Sequence, residues 1–122
     1  MDVSIQRIGV EEIGLTYASL KITINIDNPS GRDISDLQAD FKVFIADTYI
    51  GDGIATKVSI PAESSKTKDV TVVIYYANIA SGVIDALTSL DFTLSIDGKA
   101  NVGILFGLLT FSKNFEASRT YP

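Results

Sequence analysis

Residues 20–27 read LKITINID, an order that leaves the backbone little choice. Leu20, Ile22, Ile24 and Ile26 alternate with Lys21, Thr23, Asn25 and Asp27. Successive side chains of an extended chain point to opposite faces, so this segment reads as a strand with one face buried and one in water. The same period returns further on. Leu37, Ala39, Phe41, Val43 and Ile45 alternate with Gln38, Asp40, Lys42 and Phe44. Val70, Val72, Ile74 and Tyr76 resume the pattern, as do Phe92, Leu94 and Ile96. One-sided strands in succession need a second layer to cover their apolar faces.

The punctuation between these runs sets the rest of the architecture. Asn28-Pro29 stops the first alternating strand, because proline cannot donate to a sheet ladder and forces the preceding residue to be extended. The Asn28 side chain is then placed to bond a nearby backbone amide, and Asn28→Ala is expected to cost about 1 kcal/mol. Asp47-Thr48 predicts a turn. Gly51 and Gly53 predict a bulge or a close backbone approach. Pro61 ends that segment, and residues 62–68 read as a polar connection.

One stretch changes period. In NIASGVIDALTSL, Ile79, Val83, Leu87 and Leu90 share a helical face, with Asn78 as the expected N-cap. Gly82 weakens this helix by roughly 1 kcal/mol relative to alanine, so it should be short. Near the N-terminus, Val3 and Ile5 are out of phase with Ile8 and Val10, which predicts a bulge at Gln6-Arg7. The count is about seven strands, with one short helix between the fifth and sixth. Residues 1–122 read as one domain, an all-β, two-sheet antiparallel β-sandwich of immunoglobulin-like or fibronectin III-like type. The chain has no Cys and no Trp, which excludes the antibody-type core.

Composition narrows function. Ten Lys and Arg stand against fifteen Asp and Glu, a net charge of −5, which opposes binding to nucleic acid or to an anionic membrane surface. Without His or Cys, imidazole and thiolate catalysis and nearly all zinc sites are excluded. No apolar run approaches the roughly 18 residues of a membrane span. No leader precedes the first strand, so a cytoplasmic location is expected, with an N-terminal anchor outside this sequence left open.

Four stretches offer candidate sites. Asp27, Asn28, Asp33, Asp36 and Asp40 lie close in sequence and offer oxygen ligands to calcium. Turn chemistry accounts for most of these residues without an ion. Glu11-Glu12 and the pair Asp97 and Glu116 are carboxylates of the kind used in acid–base catalysis. Neighbours in a strand diverge, however, and solvated surface charge explains them better. The run VGILFGLLTF (residues 102–111) reads as a strand buried on one side and the turn into the last strand. Phe106 and Leu109 are its candidates for an exposed contact patch, on a partner or a membrane. GDG at 51–53 lacks the surroundings of a phosphate loop and reads as structural.

The order of these elements resembles the WHy (water stress and hypersensitive response) domain of group 2 late embryogenesis abundant proteins. Five stretches carry the resemblance: ITINIDNPSG, LQADFKVFIADTYIGDG, SIPAESSKTKDVTVVI, the helix ANIASGVIDAL before DFTLSIDGKA, and LTFSKNF. It covers roughly residues 3–118 and departs after Asn-Pro, where Ser30-Gly31 replace the further polar and Asn or Pro residues common in the family. The resemblance implies a β-sandwich with one helix and no enzymatic activity. It also implies a role in desiccation, cold or osmotic stress, through weak stabilising contacts with client proteins. No catalytic residue, cofactor or small-molecule substrate follows from it, and a monomer is expected. Asn28 and Pro29 match its signature, in a structural role. The alternative is a sandwich interaction module for one specific protein partner, near a membrane in a longer protein.

Overall fold

The computed structural model describes every residue from Met1 to Pro122. Seven strands form: β1 (Asp2–Ile13), β2 (Tyr17–Asn28), β3 (Ile34–Ile45), β4 (Thr48–Ile60), β5 (Ser64–Tyr75), β6 (Phe92–Ile104) and β7 (Leu109–Tyr121). A 3-10 turn (Tyr76–Asn78) and the helix α1 (Ser81–Ser89) lie between β5 and β6. One sheet has the order β1-β2-β5 and the other β4-β3-β6-β7. Every pairing is antiparallel. This is the expected β-sandwich, in a fibronectin III-like division of three strands against four.

The period-two residues are what bring the sheets together. Leu20, Ile22, Ile24 and Ile26 of β2 are buried, as are Leu37, Ala39, Phe41, Val43 and Ile45 of β3. They belong to one core of 28 buried apolar residues, and each large aliphatic side chain there contributes about 1.5–3 kcal/mol. The register of β1 slips between Ile5 and Arg7, as the phase change predicted, and slips again between Val10 and Glu12. The first bulge lets both Ile5 and Ile8 face the core.

Phe41 accounts for two glycines. Gly53 of β4 and Gly98 of β6 are its register partners on either side. A β-carbon at Gly53 would lie 2.5 Å from Phe41 Cζ, and one at Gly98 would lie 2.7 Å from Phe41 Cα and overlap the Asp40 carbonyl. The Phe41 ring uses that space and meets Phe115 edge-on, with centroids 6.2 Å apart.

The structure corrects several local expectations. The N-cap of α1 is Ala80, with no side-chain cap bond, because Asn78 is taken up by the preceding 3-10 turn, where Ile79 N donates to Tyr76 O at 3.1 Å. Val83 and Leu87 are buried, whereas Leu90 is the left-handed C-cap and exposed. A nine-residue helix is too short to carry all four apolar positions inward. The β3–β4 turn is Ala46-Asp47, both at positive φ, and Thr48 already belongs to β4. The polar stretch 62–68 is mostly strand: Ser64 through Asp69 pair with Asn28 through Thr23. Backbone ladder bonds hold it in the sheet without apolar side chains. Alternation in β5 ends at Ile74, and Tyr76 leaves the strand. In the run 102–111, Val102 and Gly103 are buried, but every residue from Leu105 onward is exposed.

Candidate functional site

The loops at one end of the sandwich meet on Asn28. It is the last residue of β2 and only 3% exposed. Its Nδ2 donates to the carbonyls of Arg32 (2.8 Å), Pro61 (3.1 Å) and Ile60 (3.2 Å). Its Oδ1 accepts from Ser30 Oγ at 2.7 Å and Ser30 N at 3.2 Å. The last bond closes an Asx-turn over Pro29, as the Asn-Pro pair suggested. The contacts to Ile60 and Pro61 could not be read from spacing, because they join positions 32 and 33 residues apart. Pro29 itself is exposed. Ser30, which the sequence did not single out, completes the apex. Its hydroxyl lies 3.1 Å from Arg32 O, and its carbonyl accepts from Glu63 N at 3.0 Å.

The acids near this apex bond locally. Asp33 Oδ1 accepts from Ala62 N at 2.8 Å, pinning the β2–β3 loop to the β4–β5 turn. Asp27 accepts from Asn25 Nδ2 at 3.2 Å and from Ser65 Oγ. Asp40, far down β3, accepts from Gln38 Nε2 at 3.2 Å. No three carboxylates converge in a geometry that could hold an ion.

The other carboxylates lie apart. Glu11 pairs with Lys21 at 3.4 Å, while Glu12 accepts from the Tyr17 hydroxyl at 2.7 Å. That bond, with some desolvation, raises the Tyr17 pKa above its usual value, and a 2.8 Å bond to Asp52 does the same for Tyr49. Asp97 and Glu116 are register partners on β6 and β7. They line an open depression with Asp47, Ser95 and Ser118 on the outer face of the four-stranded sheet. Both are exposed to solvent. Around Gly51–Gly53 the chain is strand and presents no phosphate cradle.

The β6–β7 hairpin differs in character. Phe106 is 98% exposed and Leu109 54%, and they stand with Leu105 (40%), Leu108 (82%) and Phe111 (46%). Leu105, Phe106 and Gly107 all have positive φ, and Gly107 N and Leu108 N close the turn onto the carbonyls of Ile104 and Leu105. The sequence pointed to two of these five residues. The turn decides the rest: by lifting residues 105–108 beyond the sheet, it removes the cover that an apolar run would otherwise have.

Together these features define a small all-β protein whose polar apex bonds its own backbone. The family model described as "Late embryogenesis abundant protein" matches residues 23–115, and the chain belongs to that family. No curated protein sequence matches it. Among solved structures, the chain is similar to AT1g01470 from Arabidopsis thaliana, at 16% identity and a TM-score of 0.76, covering 98% of this chain and 79% of that one. It is also similar to a proposed late embryogenesis abundant protein, At2g46140.1, at 12% identity and a TM-score of 0.53, covering 99% and 71%. A glycoside hydrolase family 2 beta-glucuronidase superposes at 10% identity and a TM-score of 0.55, covering 92% of this chain but 12% of the enzyme. At such identities the likeness is one of fold.

Proposed function

We propose that this chain is a non-enzymatic protective protein of the WHy type, in group 2 of its family. In this reading it is a cytoplasmic monomer that keeps client proteins apart during drying, cold or osmotic stress through weak surface contacts. The observation that carries the reading is the family match over residues 23–115. The inward bonding of Asn28 supports a structural role for this signature residue. The net charge of −5 favours a chain that stays dispersed among its clients.

The test is to dry or freeze a labile dehydrogenase with this protein, and separately with an equal mass of an unrelated β-sandwich of similar size and charge. Higher recovery with this protein is the expected result. Equal recovery overturns the reading.

One observation favours the second reading, an interaction module with a defined contact surface. Five exposed apolar side chains are gathered on one hairpin, where a chain dedicated to diffuse contact would be served by a polar turn.

A further inference from the structure

We propose that the β6–β7 hairpin is a membrane-surface probe, whose apolar tip inserts shallowly into the headgroup layer of a zwitterionic lipid bilayer. Three observations converge on this. First, the tip protrudes and its outermost side chains are apolar: Phe106 is 98% exposed and Leu108 82%, flanked by Leu105 and Leu109, with Arg32, Asp33 and Ser35 beside Leu105 and Phe106 at its base. A protruding knob matches a fluid interface, whereas a recessed groove would match a partner's side chain.

Second, the tip turn places bulky apolar residues at left-handed backbone positions. Leu105 and Phe106 have φ values of 54° and 56°, a region costly for bulky residues and ordinarily given to Gly or Asn. The β3–β4 hairpin turn, Ala46-Asp47, uses a small and a polar residue for a similar backbone. Here the strained backbone coincides with the exposed apolar side chains of Leu105 and Phe106.

Third, charge is distributed to let this end approach a membrane. The strand registers divide the molecule across its long axis: Arg7 lies opposite Thr23, Thr23 opposite Asp69, Ala39 opposite Ala55 and Ala100, and Ala100 opposite Lys113. The half that holds the tip comprises residues 1–7, 23–39, 55–69 and 100–113. It contains six Lys or Arg and six Asp or Glu. The far half contains four against nine, so the whole net charge of −5 lies away from the hairpin. From Gly98 to Phe115 there is no acid, only Lys99 and Lys113. At roughly 3.4 Å per residue, Lys113 lies about 14 Å behind Leu109 and Lys99 about 17 Å behind Ile104, clear of the tip. A neutral docking end predicts binding driven by apolar insertion, with little dependence on salt or on anionic lipid.

The test uses flotation with small phosphatidylcholine vesicles. Wild type should float with the vesicles equally at low and at 0.5 M salt, the latter a condition of roughly 4 Å screening length. The double variant Phe106→Ser/Leu108→Ser should partition at least tenfold less. Leu15→Ser, which alters the fully exposed leucine of the β1–β2 turn at the opposite end, should bind as wild type does. Failure of wild type to float, or flotation of the double variant at the wild-type level, overturns the proposal. A second measurement covers misfolding of the variant. Phe106→Cys carrying a polarity-sensitive dye should shift to the blue on vesicles and be quenched by brominated lipid, and no change overturns insertion. Self-association of wild type in sedimentation that is lost in the double variant would assign the tip to a second copy of this chain instead. Vesicle flotation and enzyme recovery are separate readouts, so this inference stands or falls apart from the protective reading.

Discussion

The side-chain amide of Asn28, at the end of β2, donates at 3.2 Å to the main-chain carbonyl of Ile60, which ends β4 in the opposite sheet. One side chain thereby joins the two layers of the sandwich at the end where three loops cross.

That relationship raises the expected effect of removing it. A terminal Asx-turn alone is worth about 1 kcal/mol. Asn28→Ala also strips donors from the carbonyls of Arg32, Ile60 and Pro61, so the loss should be about 2–4 kcal/mol in urea unfolding. Asn28→Asp is the sharper probe. It keeps the acceptor toward Ser30 but sets a carboxylate against three carbonyls, and should destabilise at neutral pH at least as much as alanine does. Wild-type stability in Asn28→Asp would show that the amide nitrogen is idle.

Gly98→Ala should be among the most damaging of small substitutions. Its added carbon meets main-chain atoms of Asp40 and Phe41, which cannot rotate away. A loss of about 3 kcal/mol or more is expected. Gly31→Ala, where nothing lies within 4 Å of the added carbon, should be near neutral. The pair of melting curves gives the comparison directly.

Tyr76→Phe should stabilise the protein. The Tyr76 ring packs against the core, and its hydroxyl is buried without a hydrogen-bond partner. Removing a desolvated, unpaired hydroxyl should add about 1 kcal/mol. An unchanged or lower midpoint in denaturant would place a partner on that oxygen.

Alkaline pH should weaken the fold through two tyrosines. Bonds to Glu12 and Asp52 raise the pKa values of Tyr17 and Tyr49 above the ordinary 10.0. The folded state therefore holds these protons more tightly than the unfolded state does. The stabilisation is fully present below about pH 10 and is lost as pH rises through the raised folded-state values. Stability measured from pH 9 to 11 should fall less steeply in Tyr17→Phe/Tyr49→Phe than in wild type. Parallel slopes would show that neither bond matters to folding.

Much of the fold was legible because its information is local. Strict alternation in β2 and β3 marks which side chains must turn inward, and Pro29 and Pro61 mark where ladders must stop. Even the β1 bulge was visible as a phase change. Where the reading failed, either a neighbouring turn or a pairing with a distant strand prevailed. Asn78 has good capping chemistry, yet the 3-10 turn ahead of α1 claims it. Residues 64–69 look like a connection, yet pairing with β2 extends them into the sheet. The contact candidates Phe106 and Leu109 were visible as apolar residues in a glycine-bearing run. The sequence did not disclose that Leu105 and Leu108 would join them.

The amino-acid order by itself determined the strands, their inward faces and the break at Asn28-Pro29, because each depends on residues adjacent in the chain. Only the tertiary structure decided what that break is for. It brings Ile60 and Pro61 to the Asn28 amide across the sandwich and sends the acid-free hairpin past the last covered layer. Both outcomes depend on distances between segments far apart in sequence, and no local period encodes such distances.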